Sequence, residues 1–278
     1  MLCNWERRCG KLIVTRDKQH LHIESLGEGP DLVLLHGWAM HSGMWGSIRQ
    51  FLAQHFRMHL IDLPGHGFSR SASLHETGGK TDIREGMIER VVEVLPSDCV
   101  ICGWSLGGQL AIELAVREPG RVKKIILTST TPSFVKRKDW QWGMEEFTLK
   151  AFAENLKRDF STTMKRFLTL QLSGGGDAGK VLPQMRRLLF ERSAPEPEAL
   201  QAGLQIVLTN DLRPKLRNIV QSALLIHGEN DVIAYPEAAG WMKQQFQDVE
   251  LVMLPNCSHV PFLSYPDKFV GNIVRFAK

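Results

Sequence analysis

The chain has 278 residues, 43% of them hydrophobic and 23% charged, and its formal net charge is +4. These proportions are typical of a globular protein and exclude fibrous and intrinsically disordered classes. Without basic clusters among aromatic residues, the modest charge argues against nucleic-acid binding. Apolar runs are too short for a membrane-spanning helix, and the charged N-terminal stretch lacks the apolar segment of a signal peptide. We therefore expect a cytoplasmic protein that does not bind membranes.

Short apolar segments alternate with amphipathic ones, which is typical of a mainly parallel sheet flanked by helices. Strands are predicted at 11–15, 21–25, 31–36, 58–63, 99–104, 122–129, 222–228 and 249–254. The first two are expected to form an antiparallel pair with a turn near Asp17 and Lys18. Helical spacing predicts helices at 44–56, 82–95 (with Asp82 as cap), 106–117, 236–246 and up to Phe276.

Strand signals stop between Ser133 and Asn210, where helical segments take over and SGGGDAG (173–179) indicates a loop. This order predicts one α/β core formed by residues 1–132 and 211–278. A helical lid, residues 133–210, is inserted after the sixth strand. Lysine and arginine outnumber aspartate and glutamate in most of this lid, and a mildly basic lid favours an acidic partner.

The segment GWSLG (103–107) matches the G-x-S-x-G nucleophile elbow. In that motif a serine occupies a tight turn between a strand and a helix, and glycines let the two elements approach closely. CVICGW before Ser105 and LGGQLAIELAVRE after it have the strand and helix patterns that the motif requires. Ser105 is therefore predicted to be the nucleophile of an α/β-hydrolase fold.

A serine hydroxyl needs a general base, which in this fold comes after an acidic residue and follows the last strand. His259 lies in the loop after the last predicted strand and is predicted to be the base. His227, inside a predicted strand, is interpreted as a core histidine. Asp231 is predicted to orient His259, and Glu229 is its nearest alternative.

The oxyanion of an acyl-transfer intermediate needs N–H donors. We predict Leu106, directly after the nucleophile, and Trp38, in the HGW segment, as these donors. His36, His66 and Asp62 are interpreted as residues that stabilise their loops. No metal or organic cofactor is expected, because the three predicted side chains supply nucleophile, base and orienting acid.

The five cysteines have no metal-ligand spacing and are interpreted as reduced thiols. Two of them, Cys102 and Cys257, lie close in sequence to predicted catalytic residues but are interpreted as small buried hydrophobes.

Several segments together resemble the pimeloyl-[acyl-carrier protein] methyl ester carboxylesterases of biotin synthesis. They are LVLLHGW (32–38), LIDLPGHGFS (60–69), GWSLGG (103–108), DFSTTMKRFLTLQ (159–171), GLQIVLTNDLR (203–213) and CSHVPFLSYP (257–266). RFLTLQ is the most specific of these segments. The resemblance covers nearly the whole chain after about residue 20, so the N-terminal stretch through His20 is interpreted as an extension.

The resemblance implies hydrolysis of the methyl ester of a dicarboxylic acyl chain held by acyl carrier protein. It also implies that the ester is surrounded by Trp38, Ser105, Leu106 and His259. The acyl channel would be lined by Phe167, Leu168, Thr169, Leu170 and Gln171. Arg166 would face the acidic carrier or its phosphopantetheine, although Thr162 stands where family members can carry a further lid arginine.

Two other interpretations remain open. One is a broad-specificity carboxylesterase or thioesterase for small acyl esters, because a fold does not fix a substrate. The other is a non-catalytic binding protein of the same fold, which the complete set of Ser105, Asp231 and His259 argues against. Nothing in the sequence marks an interface between subunits, so a monomer is expected.

Overall fold

The computed structural model describes residues 13–16, 21–70 and 83–278. Within them, eight strands form one sheet: β1 Ile13–Arg16, β2 His22–Leu26, β3 Asp31–Leu35, β4 Arg57–Ile61, β5 Cys99–Trp104, β6 Val122–Thr128, β7 Ser222–Gly228 and β8 Val249–Leu254. Each predicted strand is present, with ends that differ by only a few residues. The predicted turn near Asp17 and Lys18, the cap at Asp82 and the N-terminal extension lie outside the described residues.

The strand order in the sheet is β1-β2-β4-β3-β5-β6-β7-β8. β2 pairs antiparallel with β1 and β4, and all the other neighbouring strands are parallel. Every residue of β5 is buried, as expected for a parallel strand covered on both faces. Because β3 to β8 run in the same direction, the loops that follow them meet at one edge, where open α/β sheets bind ligands.

Ten α-helices lie within the described ranges: α1 Ile48–Leu52, α2 Ile83–Val94, α3 Leu106–Arg117, α4 Glu146–Arg158, α5 Phe160–Leu170, α6 Ala178–Leu189, α7 Pro197–Thr209, α8 Pro236–Lys243, α9 Pro261–Ser264 and α10 Pro266–Ala277. The predicted helix at 44–56 is shorter than expected, because Gly46 has a φ of 55° and separates a 3-10 turn from α1. The C-terminal helix is likewise divided at Pro266, which lacks the N–H needed to continue α9.

Helices α4 to α7 lie between β6 and β7 and are called the helical insertion below. The segment before α4 contains some strand pairing, which the sequence did not predict: isolated bridges join Val135 to Met144 and Arg137 to Trp140. The boundaries of a separate lid at 133 and 210 stay a prediction.

A buried ion cluster connects the helical insertion to the core. Arg192, which follows α6, forms ion pairs with Glu24 of β2 and Asp62 after β4. Its guanidinium also donates a hydrogen bond of 3.0 Å to the Ser42 hydroxyl and lies 4.6 Å from the ring centre of Phe68. The pairing compensates the cost of burying the Arg192 charge, whose side chain is only 7% exposed.

Candidate active site

Ser105 lies on the turn between β5 and α3, at the sheet edge where the loops meet. Its backbone has φ 56° and ψ −117°, a conformation that residues with a side chain rarely adopt. The N–H of Ser105 donates to the carbonyl of Thr128 at 3.0 Å, and the Thr130 hydroxyl donates to the Ser105 carbonyl at 2.7 Å. These bonds hold the strained turn that presents the serine.

The two glycines of the motif are required by close packing. A Cβ on Gly103 would lie 2.2 Å from the carbonyl oxygen of Gly107. A Cβ on Gly107 would lie 2.3 Å from the carbonyl oxygen of Leu35 in β3. A side chain at either position would therefore push β3, β5 and α3 apart and move Ser105.

The structure brings the predicted base and acid together after β8 and β7. His259 Nδ1 lies 2.8 Å from Asp231 Oδ2, and both side chains are at most 1% exposed. The other carboxylate oxygen, Oδ1, accepts the N–H groups of Ile233 and Ala234, each at 2.9 Å. Burial acts to raise the pKa of Asp231, but the charge and hydrogen bond of His259 and these N–H groups outweigh it and lower the pKa. The carboxylate therefore accepts the Nδ1 proton, which leaves His259 Nε2 as the basic nitrogen.

The two alternative residues have other environments. His227 is buried in β7, and burial lowers its pKa to about 4, so its ring is neutral at pH 7. Neither of its ring nitrogens has a hydrogen-bond partner among the residues that the structure describes. This is the environment of a core histidine. Glu229 is exposed, and its N–H donates to the Leu254 carbonyl at 3.0 Å.

The loop after β3 lies against the nucleophile. A Cβ on Gly37 would be 3.3 Å from the Ser105 Cβ, and Trp38 follows directly. Leu106 is the first residue of α3, and N–H groups of a first helical turn have no acceptor within their own helix. The two residues predicted as oxyanion donors thus flank Ser105 from separate elements.

The side chain of Trp38 is held by the helical insertion. Its Nε1 donates to the Leu200 carbonyl of α7 at 2.9 Å. Its ring makes edge contacts with Phe152 and Phe167, each with 5.5 Å between ring centres. The position of Trp38 is therefore set jointly by the core and by three helices of the insertion.

His36 connects the loops that follow β3 and β4. Its Nδ1 donates to the Gly37 carbonyl at 2.8 Å, and its Nε2 accepts the Leu63 N–H at 2.9 Å. Burial, followed by the neighbouring His66, lowers the pKa of His36 to about 3. A neutral ring with both nitrogens bonded to backbone groups supports the loop, as interpreted from the sequence.

Asp62 and His66 also bond to backbone. Asp62 accepts the N–H groups of Ser42 at 2.7 Å and Phe68 at 2.9 Å. His66 Nδ1 donates to the Pro64 carbonyl at 2.9 Å. Both side chains build turns at the sheet edge, in agreement with their interpretation from the sequence.

Trp104, the variable residue before the nucleophile, was not singled out from the sequence. Its indole Nε1 donates to the carbonyl of His259 at 2.9 Å, and the two rings lie 5.9 Å apart. Because Trp104 is fully buried at the end of β5, it ties the His259 loop to the strand that carries Ser105.

A mainly apolar cavity opens from Ser105 between the core and the helical insertion. It is lined by Trp38, Ser105, Phe134, Met144, Thr148, Leu149, Phe152, Phe167, Leu170, Leu204, Val207 and Ile233. An apolar slot with a single nucleophile at its base suits an ester of a hydrocarbon chain better than a charged substrate.

The five residues expected to line an acyl channel have different environments, because most of them follow one another on α5. Phe167 and Leu170 line the cavity. Leu168 is fully buried in the core, and Thr169 is exposed, with its hydroxyl donating to the Lys165 carbonyl at 3.0 Å. Gln171 is buried, and its carbonyl accepts the N–H of His259. Of the five residues, two line this cavity, because consecutive helical residues point in different directions. A channel lined by all five stays a prediction.

Arg166 is exposed on α5, one turn before Leu170. It lines a surface depression together with Thr162, Lys165, Thr169 and Arg186. Among the described residues, the side chains that line it include three cations and no carboxylate, so the depression suits an anionic partner.

Comparison with known proteins identifies the family of the chain. Residues 32–272 match the model of the alpha/beta hydrolase family. The chain belongs to this family. The α/β-hydrolase fold predicted from the sequence is confirmed, and with it the assignment as a carboxylic ester hydrolase.

The chain is similar to several relatives named pimeloyl-[acyl-carrier protein] methyl ester esterase, two of which illustrate the range of identity. The one from Nitrosospira multiformis is 84% identical over 258 residues, which are 93% of this chain and 98% of the relative. The one from Nitrosomonas europaea is 50% identical and covers 90% of this chain and 97% of the relative.

Solved structures share the fold. An esterase from Exiguobacterium antarcticum has a TM-score of 0.80 with 23% identity, covering 92% of this chain and 94% of that one. An enol-lactonase from Burkholderia xenovorans has a TM-score of 0.77 with 22% identity, covering 95% of this chain and 99% of that one.

Among the described residues, no helix is long and apolar enough to cross a bilayer.

Proposed function

We propose that the protein hydrolyses the methyl ester of pimeloyl-[acyl-carrier protein] and releases methanol and the free ω-carboxylate. The observation that carries this proposal is the apolar cavity, which leads from Ser105 along α5 toward Leu170, a residue 39% exposed. A long hydrocarbon chain fits such a cavity with its ester at Ser105 and its carrier outside. The relative that is 84% identical carries the name of this activity.

The reaction proceeds in two halves. His259 Nε2 takes the proton of the Ser105 hydroxyl, whose oxygen attacks the ester carbon, while Asp231 holds the imidazole. The N–H groups of Trp38 and Leu106 stabilise the resulting oxyanion. The intermediate then expels methanol, which receives its proton from His259, and leaves an acyl group on Ser105.

Water completes the cycle. His259 Nε2 takes a proton from a water molecule, which attacks the acyl carbon and forms a second oxyanion at the same donors. Collapse of this intermediate returns the proton to Ser105 and frees the ω-carboxylate. The chain of events uses only groups of the protein and water, so the proposal includes no cofactor.

The basic depression around Arg166 is the proposed contact for acyl carrier protein. Its lining includes Thr169, the chain neighbour of the cavity residue Leu170, and carries Arg186 and Lys165 as further cations. An acidic carrier or the phosphate of its prosthetic group would be attracted there. We place the protein in the cytoplasm as a monomer that meets the carrier at this surface.

The deciding experiment compares kcat/KM for pimeloyl-carrier methyl ester and for p-nitrophenyl butyrate, in the wild type and in Ser105→Ala. We expect a strong preference for the carrier ester and a loss of at least about 10³-fold on both substrates in the variant. Full activity of Ser105→Ala would refute the nucleophile. Activity on the small ester alone would reduce the protein to a general carboxylesterase.

The carrier contact is tested separately with Arg166→Glu. We expect KM for the carrier ester to rise about tenfold, because a cation near an acidic partner is replaced by an anion. KM for p-nitrophenyl butyrate should not change. The matched control is Arg217→Glu, which reverses a charge beside Gln245 outside the insertion. Equal effects of the two variants would rule out a specific contact at Arg166.

A further inference from the structure

The glycine-rich segment that the sequence indicates as a loop lies against the loops that carry His259 and Asp231. This anchoring loop, residues 171–176, follows α5. It is joined to them by four hydrogen bonds: His259 N to Gln171 O at 3.0 Å, Ser258 Oγ to Ser173 O at 2.9 Å, Gly176 N to Asn256 O at 2.9 Å and Asn230 Nδ2 to Gly174 O at 2.5 Å.

Two of these bonds come from side chains directly beside the site. Ser258 precedes His259, and Asn230 precedes Asp231. Packing is close at the same points, because a Cβ on Gly174 would lie 3.0 Å from the Cβ of Asn230. A Cβ on Gly175 would lie 3.3 Å from the Cβ of Ser258. The loop therefore touches both members of the hydrogen-bonded His259–Asp231 pair through their chain neighbours.

The same segment begins at the helix that lines the cavity. Phe167 and Leu170 of α5 face the cavity, and the anchoring loop starts with the next residue. The Ser258 hydroxyl and the Asn230 amide are both bonded to carbonyls of the anchoring loop rather than to Ser105. We therefore expect any effect they have on the reaction to act through His259 and Asp231.

We infer that Ser258 and Asn230 are positioning residues, which fix His259 at Ser105 by tying its loop to the anchoring loop. The inference rests on the proposed function, in which His259 is the general base. Base and nucleophile must meet within a narrow range of distance and angle, and small displacements reduce the rate strongly. Ser258 is 1% exposed, so removing its hydroxyl leaves the carbonyl of the half-buried Ser173 without that donor.

The test uses Ser258→Ala, Asn230→Ala and the double variant. Matched controls are Ser222→Ala, which removes a hydroxyl bonded to Asp248 at the start of β7, and Asn272→Ala, which removes an amide bonded to the Lys268 carbonyl in α10. The measurements are kcat and KM for p-nitrophenyl butyrate, the rate at which a small fluorophosphonate labels Ser105, and Tm.

We expect the double variant to lower kcat and the labelling rate by about tenfold or more, with KM changed by less than about twofold. Each single variant should show a smaller loss of the same kind, and both controls should match the wild type. Because a small fluorophosphonate has no long acyl chain, slower labelling would report the geometry of the base rather than binding of the acyl chain.

A lower Tm with unchanged kcat and labelling would overturn the inference, because the bonds would then serve folding alone. A rise in KM alone would overturn it as well. Failure of the proposed function is distinguishable, because it would appear as full activity in Ser105→Ala. If Ser105→Ala is inactive and the double variant is fully active, only the positioning role fails. Should the double variant not fold, the two single variants decide.

Discussion

Gly203 of α7 lies so close to the indole of Trp38 that a Cβ on Gly203 would be 2.5 Å from Cδ1 and 3.0 Å from Nε1. The same nitrogen donates to the carbonyl of Leu200, one turn earlier in α7. The backbone of α7 therefore fixes the position of Trp38, whose N–H is proposed to stabilise the oxyanion. A change in the insertion can in this way reach the chemistry at Ser105.

Gly203→Ala tests this relationship. The added methyl group must displace the indole, which moves the backbone N–H of Trp38 away from the oxyanion. We expect kcat/KM to fall by about tenfold, a smaller loss than the roughly 10²–10³-fold expected for complete removal of a donor. The control is Gly271→Ala in α10, where a Cβ would meet nothing within 4 Å. Wild-type kcat/KM in Gly203→Ala would contradict the prediction.

Asp231→Asn tests the orienting acid. One acceptor oxygen cannot serve the N–H groups of Ile233 and Ala234 and also His259. If that oxygen stays with the backbone, the amide N–H faces Nδ1, and His259 must carry its proton on Nε2, where it cannot act as a base. We expect kcat to fall by about 10⁴-fold, as serine proteases show for the same change.

The matched control for this substitution is Asp248→Asn, an exposed residue that accepts the hydroxyl of Ser222. It should leave kcat unchanged. A loss smaller than about tenfold in Asp231→Asn would show that the carboxylate is not needed to orient the base.

The sequence predicts the strands and the elbow because both depend on local patterns. Alternating apolar segments give the eight strands, and Gly103 is required by a backbone contact with Gly107 within the same turn. The loops bearing Asp231 and His259 could be located because each directly follows a predicted strand. Their contact at 2.8 Å follows from the parallel alignment of β7 and β8.

Contacts between distant segments could not be predicted in this way. Trp104 and His259 are separated by 155 positions, and Glu24 and Arg192 by 168, so no local pattern relates them. The environment of each acyl-channel residue also could not be predicted. The resemblance implies that residues 167–171 all line the channel, whereas in α5 Thr169 faces solvent and Leu168 lies in the core.

Three buried cysteines should resist thiol-modifying reagents in the folded protein. Cys102 is fully buried, and burial raises its pKa to about 12; burial does the same for Cys99 and Cys257. Because the thiolate is the reactive form, these three thiols should not react in the folded protein at pH 7. We expect N-ethylmaleimide to leave esterase activity unchanged.

Peptide mapping by mass spectrometry checks this prediction directly. The three thiols should be unmodified in the native protein and fully modified after denaturation in urea. Inactivation that tracks modification of Cys102 or Cys257 would contradict it, because it would show an accessible thiol beside the site.

The ion cluster around Arg192 makes stability depend on pH. Glu24 and Asp62 face Arg192, and the other titratable neighbours include His22, His36, His41, His66 and Arg49. Burial acts to raise the pKa of both carboxyls. For Asp62 the charges of Arg192 and His36 and the N–H groups of Phe68 and Ser42 together outweigh burial. For Glu24 the hydrogen bond and charge of His22 and the charges of Arg192 and Arg49 together do so. Both pKa values are therefore lower in the folded protein than in the unfolded chain.

The sign of the effect follows from this difference. As the pH falls through about 4–5, the unfolded chain takes up protons on these carboxyls before the folded protein does. Proton uptake stabilises the unfolded state, so the contribution of the two carboxylates to folding is complete above about pH 5 and is lost progressively below it.

Arg192→Met should lower both the stability at pH 7 and its dependence on pH. It leaves two buried carboxylates without their shared cation, so we expect the free energy of unfolding at pH 7 to fall by about 3 kcal/mol. The carboxyl pKa values should rise, so that less stability remains to be lost between pH 5 and pH 4. Urea unfolding of the wild type, Arg192→Met and Arg187→Met at pH 7, 5 and 4 measures this. Arg187 is exposed on α6, and its substitution should change stability by less than about 0.5 kcal/mol. Parallel pH curves for Arg192→Met and the wild type would show that the acid sensitivity arises elsewhere.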